Sequence, residues 1–184
     1  DSIAGDPSRP LSTRPQMDGE EWNSFCKKIS EIGKYLEDQG MPLAYHHHMV
    51  TVIESQKDTE RLLESTKDQV KLILDTGHML FAGGNSIDVA KNFKERVVHV
   101  HCKDKRKDIL DKSLKEVLSF RQAFLEGAFT VPGDGFINYE PLLKFLKENH
   151  YNGWLVVEAE QDPAKANPLE YAKIGHNYLS KLCK

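Results

Sequence analysis

Four times along this chain a short apolar run ends in a cluster of polar residues and is followed by an amphipathic, helix-like segment. The runs are "PLAYHHHMV" (42–50), "VKLILD" (70–75), "RVVHVHCKD" (96–104) and "GWLVVEAEQD" (153–162). Helical segments are expected at "KDTERLLEST", "NSIDVAKNF", 113–127, "NYEPLLKFLKENH" and "NPLEYAKIGHNYLSKLC". One more helix precedes the series: Trp22, Phe25, Ile29, Ile32 and Leu36 recur at spacings of 3 and 4, until Gly40 and Pro42 stop the pattern. Residues 1–19, with three prolines and two glycines, read as an irregular arm. "TGH" after the second run and "TVPGDGFI" after residue 129 read as turns and loop. Residues 20–184 are therefore a helix followed by four strand–helix units.

Strands alternating with helices imply an α/β fold with a parallel sheet and right-handed crossovers. Near-continuous apolar strands imply that both sheet faces are covered. Four strands make either a small open sheet or half of an eight-stranded barrel, whose full length is about 250 residues. What favours the barrel is the chemistry of the strand ends. The first ends in His46, His47 and His48, and the second in Asp75 and then His78. The third carries His99 and His101 before Lys103 and Asp104, and the fourth ends in Glu158, Glu160 and Asp162. Ligands of parallel α/β folds bind at the carboxyl ends of the strands. Imidazoles and carboxylates converging there suit Mn, Co, Fe or Zn. Alternation puts His46 with His48, His99 with His101, and Glu158 with Glu160 on common faces, and turns His47 away as a structural residue. Val98 and Val100 are expected under the helices. Asp75 either caps the "DTGH" turn or faces the rim, and Lys103–Asp104 is either a pair of rim hydrogen-bonding groups or a surface ion pair.

Composition removes several classes. The chain has 184 residues, 25 basic and 28 acidic side chains and a formal net charge of −3, which gives no electrostatic footprint for nucleic acid. No apolar run approaches the roughly 18–20 residues of a membrane span. There is no phosphate-cradling loop for a nucleotide cofactor and no GxSxG nucleophile motif. Three separated cysteines without a CxxC suggest a reducing compartment, and so a cytoplasmic location. The first residue is Asp1 rather than Met, so processing or truncation upstream is expected.

Several stretches together are more specific than these patterns: "YHHHM", "LDTGHMLFAGG", "HVHCKDKR", "SFRQAFLEGAFTVPGDG" and "GWLVVEAEQDPAKANPLEYA". They resemble the inosose dehydratase family of myo-inositol catabolism, within the xylose-isomerase-like TIM barrels. The resemblance implies that residues 1–184 are the C-terminal part of one such barrel, with the first four strands absent. The missing half-barrel, or self-association, would then close the open edges. It also implies a divalent metal, Mn or Co by preference, and dehydration of 2-keto-myo-inositol to a trihydroxycyclohexanedione. Asp75, His101 and Glu158 match the family's metal ligands, and His78 a substrate-contacting histidine. The first ligand, often a glutamate in relatives, is here His46, His48 or Glu54. Val50 stands where the family usually has glycine.

Loss of water from a β-hydroxy ketone needs a base for the α-proton and an acid for the leaving hydroxyl. Glu158 is the first candidate base and Glu54 a weaker one, while His78 and Lys103 are candidate acids. Arg121 and the "VPGDG" loop would order the ring hydroxyls of a polyol substrate. No nicotinamide or flavin is needed, because substrate and product differ only by water. The alternatives are a sugar or polyol isomerase or epimerase of the same superfamily, and a non-catalytic barrel fragment.

Overall fold

The computed structural model describes residues 2–184. A capping box starts helix α1 (Gly19–Asp38), Asp18 accepting the Glu20 and Glu21 amides while Glu21 reaches back. Trp22, Cys26, Ile29 and Gly33 turn to the interior. Strand β1 (Leu43–His46) follows, then α2 (Gln56–Ser65), capped by a second reciprocal pair, Ser55 and Asp58. Next come β2 (Val70–Asp75), α3 (Thr76–Phe81), α4 (Ser86–Asn92) and β3 (Val97–Cys102). A long excursion follows, through β4 (Asp104–Lys105), α5 (Lys107–Lys115), α6 (Phe120–Glu126), β5 (Phe129–Thr130) and α7 (Glu140–Glu148). Strand β6 (Trp154–Val157) and helix α8 (Pro168–Leu182) end the order.

The sheet runs β1-β2-β3-β6, parallel throughout, which is the expected α/β arrangement. One face of it packs under the helices. Leu72, Leu74, Val100 and Cys102 are fully buried there, against Leu142, Leu143 and Leu146 of α7 and Leu179 of α8. Each such leucine contributes roughly 1.5–3 kcal/mol by leaving water. The other face carries Ala44, His46, Ile73, Asp75, His99, His101, Trp154 and Val156, in register across the four strands. Strands β1 and β6 each pair on one side only among the described residues.

Several sequence expectations change here. The 113–127 segment is not one helix: α5 starts at Lys107, and the chain breaks at Glu116–Ser119. Val117 takes a positive φ of 52° and Ser119 recaps α6 with Gln122. The first turns of α5, "KDILDK", carry four charges, and only Ile109 and Leu110, the second at helical spacing from Leu114, mark the apolar side. "TGH" is the first turn of α3, and of "TVPGDGFI" only Thr130 joins the antiparallel β4–β5 ladder, the rest being loop. Val98 is exposed, not packed under helices, because the β2–β3 register shifts between Leu72 and Ile73 and leaves it without a partner. The arm is anchored rather than loose. Ile3 donates to the Val50 carbonyl, Leu11 to that of Leu118, and Arg14 pairs with Glu54 and Asp58.

Candidate metal centre at the strand ends

Parity and register bring four strand ends together. Asp75 closes β2 opposite His101 of β3, and both face the side that His46 faces from β1. Glu158 follows β6, its amide reaching the Cys102 carbonyl at 3.4 Å. Asp75 does both things open to it in the sequence. Its Oδ1 accepts the His78 amide at 2.8 Å and caps α3. Its Oδ2 faces the rim, 3.3 Å from His46 Nε2, 3.5 Å from His101 Nδ1 and 3.3 Å from Lys103 Nζ.

His101 Nδ1 also stands 2.8 Å from Glu158 Oε2. That pair is within ion-pair distance, but its angles are not those of a hydrogen bond, and both atoms are buried without a hydrogen-bond partner. Two unsatisfied donor atoms side by side, next to a buried carboxylate, are what a metal ligand set presents. Asp75, His101 and Glu158 together can hold an ion. His46 shares Asp75 Oδ2 with them, whereas His48 sits apart. Its Nδ1 donates to the Met49 carbonyl and its Nε2 lies 3.9 Å from Glu160. Of the three first-ligand candidates, His46 is therefore the one beside Asp75. Glu54 is engaged elsewhere, accepting the Val50 amide and pairing with Arg14.

Lys103 and His78 stand deeper than a rim position implies. Lys103 is 1% exposed, and its Nζ lies 3.0 Å from His78 Nε2, 3.1 Å from Glu160 Oε2 and 3.3 Å from Glu158 Oε1. Its partner in sequence, Asp104, is not a rim group at all. It is buried and accepts the Ile137 and Lys105 amides, fixing the loop before α7. Arg121 lies on the exposed side of α6 and forms no ion pair among the described residues; its neighbour Phe120 is the residue that reaches the site. The ring of Phe120 is 5.3 Å from that of His48 and 6.0 Å from that of His78, and Phe129 lies 5.2 Å from His78. The "VPGDG" loop commits Asp134 to Arg106 and Thr130.

The sequence reading missed two things: the aromatic wall, and Glu160 as a partner of Lys103. Glu160 was legible through its shared parity with Glu158. Nothing in the spacing placed Phe120 or Phe129.

Charge state follows from these contacts. Burial pushes the Asp75 carboxyl up, but the Lys103 ammonium and the His101 and His46 rings beside it outweigh burial and hold it well below the usual carboxylate range. The carboxylates beside its ring, Asp75 first and Glu158 next, raise His101 to about 9. Burial pushes Lys103 down, yet Asp75, Glu160 and Glu158 more than restore its charge. Burial also keeps His78 neutral, far below its ordinary range. Behind the cluster, Tyr139 Oη donates to the Lys103 carbonyl at 3.0 Å and meets Thr76 Oγ1 at 2.7 Å, so α3 and the end of β3 are locked together.

A parallel β/α sheet with an Asp–His–Glu cluster at its carboxyl rim defines a class: barrel proteins whose chemistry sits above the strand ends. Residues 4–182 match the family model described as xylose isomerase-like TIM barrel, and the chain belongs to that family. It is 44% identical over 174 residues to the rhizopine catabolism protein MocC of Rhizobium meliloti, covering 95% of this chain and 54% of that one. It is 42% identical over 182 residues to the inosose dehydratase of Clostridium beijerinckii, covering 98% and 61%. The chain thus spans little more than half the length of these relatives, consistent with a partial barrel. Among solved structures, the zinc-bound IolI protein superposes with a TM-score of 0.69 at 20% identity, covering 93% of this chain and 59% of that one. The probable 3-DHS dehydratase AsbF of Bacillus anthracis gives 0.68 at 16%, covering 92% and 59%. At these identities both describe the fold.

Proposed function

We propose that this chain is the catalytic rim of a metal-dependent hydro-lyase that dehydrates a keto-inositol. The observation that carries the reading is the convergence on Asp75 Oδ2 of His46, His101 and Lys103, with Glu158 beside His101. The likeness to inosose dehydratases over almost the whole chain supports the substrate class. His46, Asp75, His101 and Glu158 would hold a divalent ion, with Mn or Co first and Zn or Fe fitting the same donors. Such an ion supplies Lewis-acid polarisation of a carbonyl oxygen.

The chain's own groups do the rest. Glu158 keeps Oε1 on the open side of the cluster, near Lys103, and takes the proton α to the ketone. The C–H electron pair becomes the new C=C bond, and the β C–O bond breaks. The departing hydroxyl takes a proton and leaves as water. That proton starts on Lys103 Nζ, 3.0 Å from the neutral His78 Nε2, and the pair delivers it. Phe120 and Phe129 wall off the histidines, which keeps water from the transfer.

The test is the intact protein with scyllo-inosose and Mn or Co. The expected product is the dione; an epimer of inosose with no dione assigns the site to an epimerase instead. If Glu158→Gln retains its metal and still exchanges the α-proton in deuterated water at the normal rate, Glu158 is not the base.

A further inference from the structure

The ionic groups at the rim fall on two sides of one ammonium. On one side are Asp75, His101 and Glu158, on the other His48, His78 and Glu160, and a third trio, His46, Asp75 and His78, joins the two. Each trio has donor atoms close enough to hold a metal ion. Lys103 Nζ lies between them. It contacts Asp75 Oδ2 and Glu158 Oε1, each at 3.3 Å, and Glu160 Oε2 at 3.1 Å and His78 Nε2 at 3.0 Å. It does not touch His101, and the oxygen it takes from Glu158 is not the one facing His101. The ammonium therefore sits nearer to His78 and Glu160 than to Asp75 and Glu158, and it leaves the facing His101 Nδ1 and Glu158 Oε2 untouched.

We propose that Lys103 is a built-in second cation: it holds the place at His78 and Glu160 that a second divalent ion would take, and so limits the centre to one ion. The inference rests on the reading of the rim as a divalent metal centre. Charge counting supports it. Asp75, Glu158 and Glu160 bring three negative charges, and one divalent ion with one ammonium balances them. Two divalent ions beside Lys103 would leave an excess of two positive charges next to a carboxylate with no solvent exposure, and buried net charge is costly. The ammonium is also fixed in place. A Cβ on Gly77 would fall 2.7 Å from Lys103 Cγ, so the helix α3 backbone presses directly on the lysine stem and holds Nζ at the junction.

The experiment is ion stoichiometry of the intact, chelator-stripped protein, by equilibrium dialysis against Zn2+ and against Mn2+ with elemental analysis. Wild type should take up one equivalent. Lys103→Met should take up two, and the Lys103→Met/Glu160→Gln double variant should return to one, because the second place has lost a carboxylate. Lys103→Arg, which keeps the charge, should stay at one. A folded Lys103→Met variant that binds a single ion overturns the role of Lys103 and leaves the metal centre standing. A wild type that binds no ion overturns the metal centre and this inference with it. Should Lys103→Met not fold, anomalous diffraction from wild-type crystals soaked in Zn2+ decides. One peak beside Asp75 and His101, with Lys103 still on Glu160, supports the proposal; a peak between His78 and Glu160 overturns it.

Discussion

His47 shows how closely single residues are constrained around this rim. It has no exposed surface, and its Nε2 accepts the Asp75 amide at 3.1 Å, so it supports the end of β2 that aims Asp75. Burial lowers its pKa from 6.5 to about 3. The folded value lies below the unfolded one, so as pH falls the unfolded chain takes up a proton first. The stability that neutral His47 contributes is whole above pH 6.5 and drains as pH falls toward 3. One such proton corresponds to a slope of about 1.4 kcal/mol per pH unit. His47→Gln offers an acceptor oxygen in place of Nε2 and does not titrate. Its urea-unfolding free energy should therefore vary less steeply than wild type between pH 6 and 5; an identical slope would show that His47 is not titrating there. Asp75 carries a second prediction at this scale. Asp75→Asn removes the charge of the shared carboxylate, and separately His101→Ala removes the imidazole beside it, and in each metal affinity should fall by well over tenfold. Unchanged metal content in both variants would rule these residues out as ligands.

At the scale of elements, the rim depends on short helices being set tightly against strand ends. Helix α3 is capped by Asp75, which also serves the cluster, and its second residue, Gly77, presses on Lys103. A methyl group there has no room, because the atoms it meets are the buried Cβ, Cγ and Cδ of the lysine and not a free end. Gly77→Ala should cost roughly 1–3 kcal/mol, the usual range for overpacking, and should displace Nζ from Glu160. Denaturant unfolding checks the first part and a crystal structure the second; wild-type stability would mean that α3 can slide on β3. Helix α6 matters through one face only. Phe120 and Ala123 turn inward while Arg121 turns to solvent, which is why a motif containing all of them misleads about which side chain meets the site. The clasp at Arg106 holds the neighbouring loop by a different route. Its guanidinium meets Asp134 Oδ2 at 2.6 Å, Thr130 Oγ1 at 3.2 Å and the Tyr171 hydroxyl at 3.3 Å, so β5, the "VPGDG" turn and α8 are joined by one side chain.

For the molecule as a whole, the sheet has, among the described residues, two unpaired edges and one open face. Trp154, on that face beside His99, is 74% exposed, a large aromatic that a closed barrel would cover. Relatives are longer by the part that this chain does not span. Unpaired parallel edges invite pairing with another chain. Residues 1–184 expressed alone should therefore self-associate, or bind the remainder of a barrel when it is supplied separately. Small-angle scattering across a dilution series is the measurement; a monomer that stays compact at micromolar concentration contradicts the expectation.

Sequence by itself determined the α/β alternation and the faces of the strand residues other than Val98, and the strand-end chemistry with the family resemblance made Asp75, His101 and Glu158 candidates. The first two rest on local periodicity: a period of 2 assigns a strand residue to a face, and spacings of 3 and 4 assign a helix residue to a side. Local periodicity says nothing about distance between strands. Only the register brought His46, rather than His48 or Glu54, against Asp75, and only the shift between Leu72 and Ile73 left Val98 in solvent. The break after α5 and the burial of Lys103 under Gly77 belong to the same category. Each depends on which element another part of the chain presses against, and contacts between residues such as Lys103 and Glu160, 57 positions apart, are settled by packing.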